Sequence, residues 1–489
     1  MRRSIAGVLV ASLALMMCGC GVKNDASTVP ENEQVVEQTQ DVTTVEDTTE
    51  KEEVVKDPKE VIVYFANWNL DSKSAEEGGE VAGIPWDSVT FINHAFFRVE
   101  IADGTTESTF EWRAAGNEPR TEFTVESTLP EADFEDMTAS SVDPSMPRNH
   151  FAEYAAYSEM YPDVNIMISV GGWTDCGYFS EMAYTEEGRT SFINSCMELM
   201  KEYPFIDGID LDWEYPGGSN DGERLPEGEG DEGCPIWGSK TEDAENFALL
   251  CKGLREAMDE NFGEGTKLLT ACSSASTGWT LPNQNWVIAE PYLDYINAMT
   301  YDMAGTWDGI TGYCTSLTAV KGIYNYFAER DIPLEKVNMG TILYATAFYI
   351  KDDINLKHLV NVEIDPNKTM ESGSISMKEL KQFEKEAVSG YTVEFDENGR
   401  AVKGEEFDNG GVGWHFYYDE KGGASYMVND DPDSEYYKWF LSYESELSLQ
   451  AKLDFAHKYK MAGIIVWEVS QDNAKYPMIH QMGDNLIVK

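Results

Sequence analysis

An α/β fold of the (β/α)8 barrel type is what this 489-residue sequence predicts, and three observations predict it. Eight apolar, β-rich runs alternate with helical periodicities from residue 61 onward. Two intervening segments carry helical stripes, one of Phe192, Cys196, Leu199, Met200 and Tyr203 and one of Phe247, Leu250, Cys251, Leu254 and Met258, at i, i+3/i+4, i+7 spacing. Polar, Gly-rich and Trp-bearing motifs cluster at the ends of the runs, where a barrel collects its functional side chains. Alternation alone would also suit a doubly wound sheet, but a count of eight selects the barrel.

In order, residues 1–20 read as an export signal. Arg2 and Arg3 precede an apolar stretch over 5–17, which is followed by Cys18, Gly19 and Cys20. The stretch is shorter than the roughly 20 residues a spanning helix needs. Its end resembles a bacterial lipobox with Cys20 as the lipidated residue, although Met17 stands where Leu is usual, so simple cleavage and secretion stays open. Residues 21–60 form an expected acidic tether. From 24 to 60 there are 12 acidic against 3 basic residues and no Trp, Tyr or Phe, too little apolar surface to order a chain.

The eight strands are expected at 61–66, 89–97, 164–170, 205–212, 267–273, 293–300, 336–343 and 463–467. Two gaps interrupt them. The first, 99–148, is polar and punctuated by Pro and Gly. The second, after the seventh strand, mixes β-like and helical patches with Trp414, Phe416, Tyr417 and Tyr418. The expected division is therefore a barrel over 61–348 and 442–489, with a small α+β insertion at 349–441 between strand 7 and helix 7.

The formal charge of −52 argues against nucleic acid or an anionic membrane surface as partner, because both would be repelled. Beyond the signal, the cysteines are Cys176, Cys196, Cys234, Cys251, Cys272 and Cys314. They show no C-x-x-C pair or His/Cys ligand spacing, so no metal is expected. Cys196 and Cys251 lie on the helical stripes and read as core thiols.

The chemistry concentrates in DGIDLDWEYP, residues 207–216. Side chains alternate along a strand, so Asp210, Asp212 and Glu214 share one face while Ile209, Leu211 and Trp213 pack on the other. Crowded like charges cannot all ionise, which raises the pKa of at least one carboxyl and makes it a candidate general acid. An isolated D-x-D-x-E is more often a solvated or calcium-binding strand end. Here the flanking Gly208 and the Trp213, Tyr215, Pro216 run make the string far more specific. It resembles the catalytic motif of family 18 glycoside hydrolases, the chitinase family.

Other strand ends extend the resemblance. SVGGW gives Ser169, Gly171, Gly172 and Trp173, in which the serine would support Asp210 and the glycines leave it space. MTYDMAGTWD gives Met299, Tyr301, Asp302 and Trp307. GIIVWEVSQD gives Trp467, which resembles the family's tryptophan under the reacting sugar where a core tryptophan is the other reading, and Tyr64 and Phe96 match the ends of strands 1 and 2. Strand 7 departs: Tyr344 is kept, but Thr346 stands where the family usually has a basic residue, and Tyr436 to Tyr443 resembles the close of the insertion found in the deep-cleft subfamily.

What the resemblance implies is a chitinase cutting β-1,4-linked N-acetylglucosamine polymers with retention, without a cofactor. Glu214 would be the acid, Asp212 and Tyr301 would hold the substrate's acetamide as nucleophile, and Asp210 would share a proton with Asp212. Tyr64, Phe96, Trp173, Met299, Asp302, Trp307, Tyr344 and Trp467 would line the sugar site. The expected partners are chitin or chito-oligosaccharides, with the membrane met only through a lipid anchor, and the expected form is a monomer on the outer face of the cell membrane. Two other functions stay open: an endo-β-N-acetylglucosaminidase on N-glycans or peptidoglycan-like glycans, and a non-catalytic glycan-binding surface lipoprotein.

Overall fold

The computed structural model describes residues 59–70, 73–218, 235–278, 280–370, 373–472 and 475–487. The export signal with Cys20, nearly all of the tether, and Cys234 lie outside the described residues. Among the described residues there are fifteen strands: β1 (Glu60–Ala66), β2 (Phe91–Ile101), β3 (Phe123–Ser127), β4 (Asn165–Gly171), β5 (Gly208–Asp212), β6 (Leu268–Ser274), β7 (Tyr295–Met299), β8 (Val337–Ile342), β9 (Ala345–Tyr349), β10 (Ser389–Phe395), β11 (Ala401–Asp408), β12 (Trp414–Asp419), β13 (Ala424–Asn429), β14 (Trp439–Tyr443) and β15 (Gly463–Trp467). The principal helices are α1 (His150–Met160), α2 (Glu186–Glu202), α3 (Lys240–Phe262), α4 (Leu317–Ala328), α5 (Met377–Glu386), α6 (Glu446–Tyr459) and α7 (Pro477–Leu486).

Eight of the strands run parallel and close on themselves in the order β1, β2, β4, β5, β6, β7, β8, β15, with β15 pairing back onto β1. Both helical stripes face the barrel, so Phe192, Cys196 and Met200 of α2 and Phe247, Leu250, Cys251, Leu254 and Met258 of α3 are buried. These helices start where side-chain oxygens satisfy the first free N–H groups: Thr185 caps α2 and Ser239 caps α3. Along β5 the alternation works as expected. Ile209, Leu211 and Trp213 join the layer under the helices, where Trp213 stacks on Phe179 at 5.3 Å.

The first gap holds an element that the periodicity did not reveal. β2 runs on to Ile101, and β3 pairs antiparallel with its extension from Phe97 to Ile101. The second gap folds as a mixed sheet in the order β11, β10, β12, β13, β14, β9, with α5 alongside. In sequence its first strand begins at Ala345 and its last ends at Tyr443. Only Leu343 and Tyr344 separate the end of β8 from the start of this sheet.

The return from the sheet to the barrel is fastened by a buried ion pair. Glu444 and Lys452 are both fully buried and joined, with Thr341 donating to the same Glu444 oxygen and Lys452 donating to Thr315. Removing one member of such a pair strands the other charge, which usually costs about 3–5 kcal/mol. Lys452→Met is therefore expected to lower the unfolding free energy in urea by about that amount. A loss below about 1 kcal/mol would show that the pair does not fasten this return. Among the described residues no helix is long and apolar enough to cross a membrane.

Candidate active site

The C-terminal ends of the barrel strands bring the predicted residues to one place. Asp210 sits at the centre, fully buried, and its carboxylate is ringed by donors from four strands. Oδ1 accepts from Thr270 at 2.5 Å and Asn297 at 3.0 Å, and Oδ2 from Ser169 and Tyr64, each at 2.9 Å. Burial raises its pKa above the ordinary value, while the four hydrogen bonds pull it back.

Asp212 is 4% exposed and far less well served. Its Oδ1 has no hydrogen-bond partner among the described residues, and the Cys272 thiol is the side chain that hydrogen-bonds its carboxyl. Burial first, then the charges of Glu214 and Asp210, push it well above the carboxylate range. Glu214 lies just beyond the strand end and half-buried. Burial raises it too, with the charge of Asp302 adding and the Tyr215 hydroxyl, which hydrogen-bonds it, opposing. Mutual repulsion was the cause expected from the sequence, but desolvation is the larger one at all three carboxyls.

The expected shared proton is not bridged directly, because no hydrogen bond joins Asp210 to Asp212 among those described. Cys272 lies against both instead, its sulfur 3.0 Å from the Tyr64 hydroxyl and 3.8 Å from Asp210 Oδ2. The two glycines also serve differently from the expectation. At Gly171, with φ 114°, a Cβ would meet the Asp212 carbonyl oxygen at 2.3 Å, and at Gly172, with φ 83°, it would meet the Phe96 ring at 2.7 Å. They make room for the backbone of Asp212 and for an aromatic ring, not for Asp210.

Aromatic side chains line the mouth. Trp467 is partly exposed rather than a core residue, and it stacks on Phe96 at 5.6 Å with 18° between the rings. The Tyr64 ring lies 5.8 Å from that of Trp467, tilted by 57°. Trp173, 6.4 Å from Tyr215, is 42% exposed and offers a broad apolar face, while Trp307 lies on the segment after β7 and is 68% exposed. Met299 is buried among the inner side chains with Tyr301 packed beside it, and burial pushes the Tyr301 hydroxyl well above its ordinary pKa, so it stays a neutral donor. Tyr344 donates to Asp302 at 3.0 Å. Peptide bonds 95–96, 214–215 and 467–468 are cis, and all three lie at this end of the barrel.

Four contributors escaped the sequence reading. Cys272 is one, and Tyr215 another. Cys176 braces the turn between Asp212 and Glu214, accepting from the Glu214 N–H at 3.1 Å and donating to the Asp212 carbonyl at 3.2 Å. Trp68, 48% exposed, lies 6.0 Å from Trp467 and continues the aromatic floor. It follows directly on the Tyr64 strand end, the one signal that could have identified it.

Among the described residues, His94, Asp133 and His150 form a group whose donor atoms all lie within 4.8 Å of one another, close enough to hold a metal ion. Both imidazoles meet the same carboxylate oxygen, at 2.9 and 2.8 Å, while Ser127 and Asn67 donate to the other oxygen. All three side chains are fully buried. Burial keeps His150 below its ordinary pKa and hence neutral. These contacts describe a hydrogen-bonded hub behind Phe96, whose carbonyl Asn67 also reaches at 3.4 Å.

Proton-holding carboxyls at the C-terminal mouth of a closed (β/α)8 barrel, on an aromatic floor, define a hydrolase of the glycosidase class. The chain belongs to the family described as Glycosyl hydrolases family 18, whose sequence model matches residues 60–472. It is similar to Chitinase A of Pseudoalteromonas piscicida, 27% identical over 369 residues, which is 69% of this chain and 41% of that protein. Chitinase ChiA of Flavobacterium johnsoniae is 25% identical over 462 residues, 85% of this chain and 27% of that protein. Probable chitinase 2 of Drosophila melanogaster is 28% identical over 322 residues, 64% of this chain and 57% of that protein. The chain thus spans less than two thirds of the length of these relatives. Among solved structures, the Group IV chitinase of Ostrinia furnacalis in complex with allosamidin shares the fold with a TM-score of 0.64 at 23% identity, over 87% of this chain and 97% of that one.

Proposed function

We propose that the protein is a chitinase that hydrolyses β-1,4-linked N-acetylglucosamine chains with retention, the substrate's own acetamide acting as nucleophile. The observation that carries this reading is the state of Asp212. Buried beside two other carboxyls and served by one weak thiol donor, it tends to hold a proton, which makes it a poor nucleophile and a good hydrogen-bond partner for an amide. The nucleophile then has to come with the sugar. Glu214 protonates the bridging oxygen, the acetamide carbonyl closes on the anomeric carbon as an oxazolinium ion, and water opens it with Glu214 as base. Asp212 and Tyr301 hold the acetamide in line as its charge develops.

The β9 to β14 sheet is proposed as one wall of the groove, as in the deep-cleft subfamily. Release of reducing ends from colloidal chitin, set against release from a high-mannose glycoprotein, tests the substrate class. Activity on the glycoprotein alone would move the assignment to N-glycan cores. Asp212→Asn and Tyr301→Phe are expected to lower kcat more than they raise KM, because both act on the acetamide as it becomes a nucleophile. Pure KM effects would make them ordinary sugar-binding residues.

We also propose export as a monomeric lipoprotein anchored through Cys20, which rests on the sequence of the first twenty residues alone. Wild-type protein should then partition into the detergent phase, and Cys20→Ser should accumulate as uncleaved precursor. Recovery of the wild type only from the medium would favour simple secretion.

A further inference from the structure

Cys272 is 2% exposed and belongs to the inner cluster of side chains that includes Tyr64 and Met299, a setting in which a thiol ordinarily serves as packing. Its polar contacts give it more to do. β5 and β6 pair with Asp210 beside Thr270 and Leu211 beside Ala271, so Cys272 follows on β6 as Asp212 follows on β5, and both side chains return to the barrel interior. The sulfur is 3.0 Å from the Tyr64 hydroxyl, with either atom able to donate, and it hydrogen-bonds the Asp212 carboxyl. Burial first, then the charge of Asp210, pushes the thiol well above its ordinary pKa, so it keeps its proton.

Asp210 has no further need of a donor. A carboxylate offers about four acceptor positions, and here Thr270 and Asn297 serve Oδ1 while Ser169 and Tyr64 serve Oδ2. The thiol, 3.8 Å from Oδ2, is surplus there. Asp212 is the carboxyl in want of a partner, because its Oδ1 has none among the described residues. The contacts run unbroken from Asp212 through the Cys272 sulfur and the Tyr64 oxygen to Asp210. Each inner member of this chain carries one proton and can accept another, which is what reversal of a hydrogen-bonded chain requires.

Resting on the chitinase reading above, we propose that Cys272 is a positioning residue which, with Tyr64, carries the proton that Asp212 and Asp210 share. Before reaction Asp212 holds that proton and donates it to the sulfur, the thiol donates to Tyr64, and Tyr64 donates to Asp210. As positive charge develops on the acetamide, each proton moves one place: the Asp212 proton to the sulfur, the thiol proton to the Tyr64 oxygen, and the Tyr64 proton to Asp210 Oδ2. Three bonds to hydrogen break and three form. No charge is left on the thiol or the phenol, and Asp212 meets the cation as a carboxylate. Opening of the ring by water returns the chain to its first state.

The test compares Cys272→Ala, which breaks the chain, with Cys272→Ser, whose hydroxyl both donates and accepts, in steady-state kinetics on a fully acetylated chito-oligosaccharide. Cys272→Ala should lower kcat roughly ten-fold or more with KM within about two-fold, and Cys272→Ser should keep kcat within about three-fold of the wild type. The deficit of Cys272→Ala, taken as a ratio to the wild type, should shrink as pH rises, because solvent can then remove the proton that the chain would have moved. The other titratable groups around Asp212, which are Asp210, Glu214, Tyr64, Tyr215 and Tyr301, are common to both enzymes, so their titration largely cancels in the ratio. If Cys272→Ala does not fold, Tyr64→Phe breaks the chain one place further on and should show the same pH-dependent loss. A wild-type kcat in Cys272→Ala, an equal loss in Cys272→Ser, or a deficit unchanged by pH would overturn the proposal and leave the chitinase reading standing. Wild-type protein inactive on chito-oligosaccharides would overturn both.

Discussion

Glu214→Gln is expected to lower kcat by at least about 100-fold while leaving affinity for a chito-oligosaccharide nearly unchanged, because the amide keeps the shape of the acid but delivers no proton. The pH profile should carry the same signature. Burial raises Glu214 to about 7, so the acid form prevails below that value and is lost as pH rises through it. The alkaline limb of the wild-type kcat profile should therefore fall near neutrality, and whatever slow turnover remains in Glu214→Gln should lack that limb. A variant retaining more than about a tenth of the wild-type rate would remove Glu214 from the acid role.

The second large effect lies in the substrate. An oligosaccharide identical to a good substrate, except for a free amine on the sugar that must sit over Trp467, is expected to bind and not be cut, since no carbonyl is present to close on the anomeric carbon. Weak encounter cannot explain that outcome, because a chain of formal charge −52 attracts a cationic ligand. A stable thiazoline copy of the cyclised intermediate should bind well more tightly than the N-acetylated sugar. Efficient cleavage next to a deacetylated donor would sink the substrate-assisted route and turn attention to Asp212 as nucleophile.

The barrel was legible because its signals are periodic: strands and helical stripes repeat, and eight repeats fix a closed sheet. The acid motif was legible because its residues are close in sequence, two apart along one strand. Much of what completes the site is not local. Ser169 and Thr270 flank Asp210 because β4, β5 and β6 pair in that register, and Asn297 arrives by the register of the next strand, beside Cys272. A lone Cys or Asn inside an apolar run gives no sign of which carboxylate it will meet. β3 was missed for a related reason. Phe123 and Val125 are its buried alternation, and two apolar residues among Pro, Glu and Thr are too few to stand out.

The two-residue joint of Leu343 and Tyr344 bears on how this protein can be altered by exchange of parts. Loops on a barrel are usually swapped freely between relatives, because the scaffold does not depend on them. Here the strand that leaves the barrel enters the second sheet almost without pause, and the residue at the joint is also the donor that holds Asp302. A chimera that replaced the sheet would inherit its new neighbour's Tyr344 geometry along with the new groove wall. The sheet and the donor to Asp302 are thus passed on as one unit, and substrate range in recombined enzymes should follow the sheet rather than the barrel.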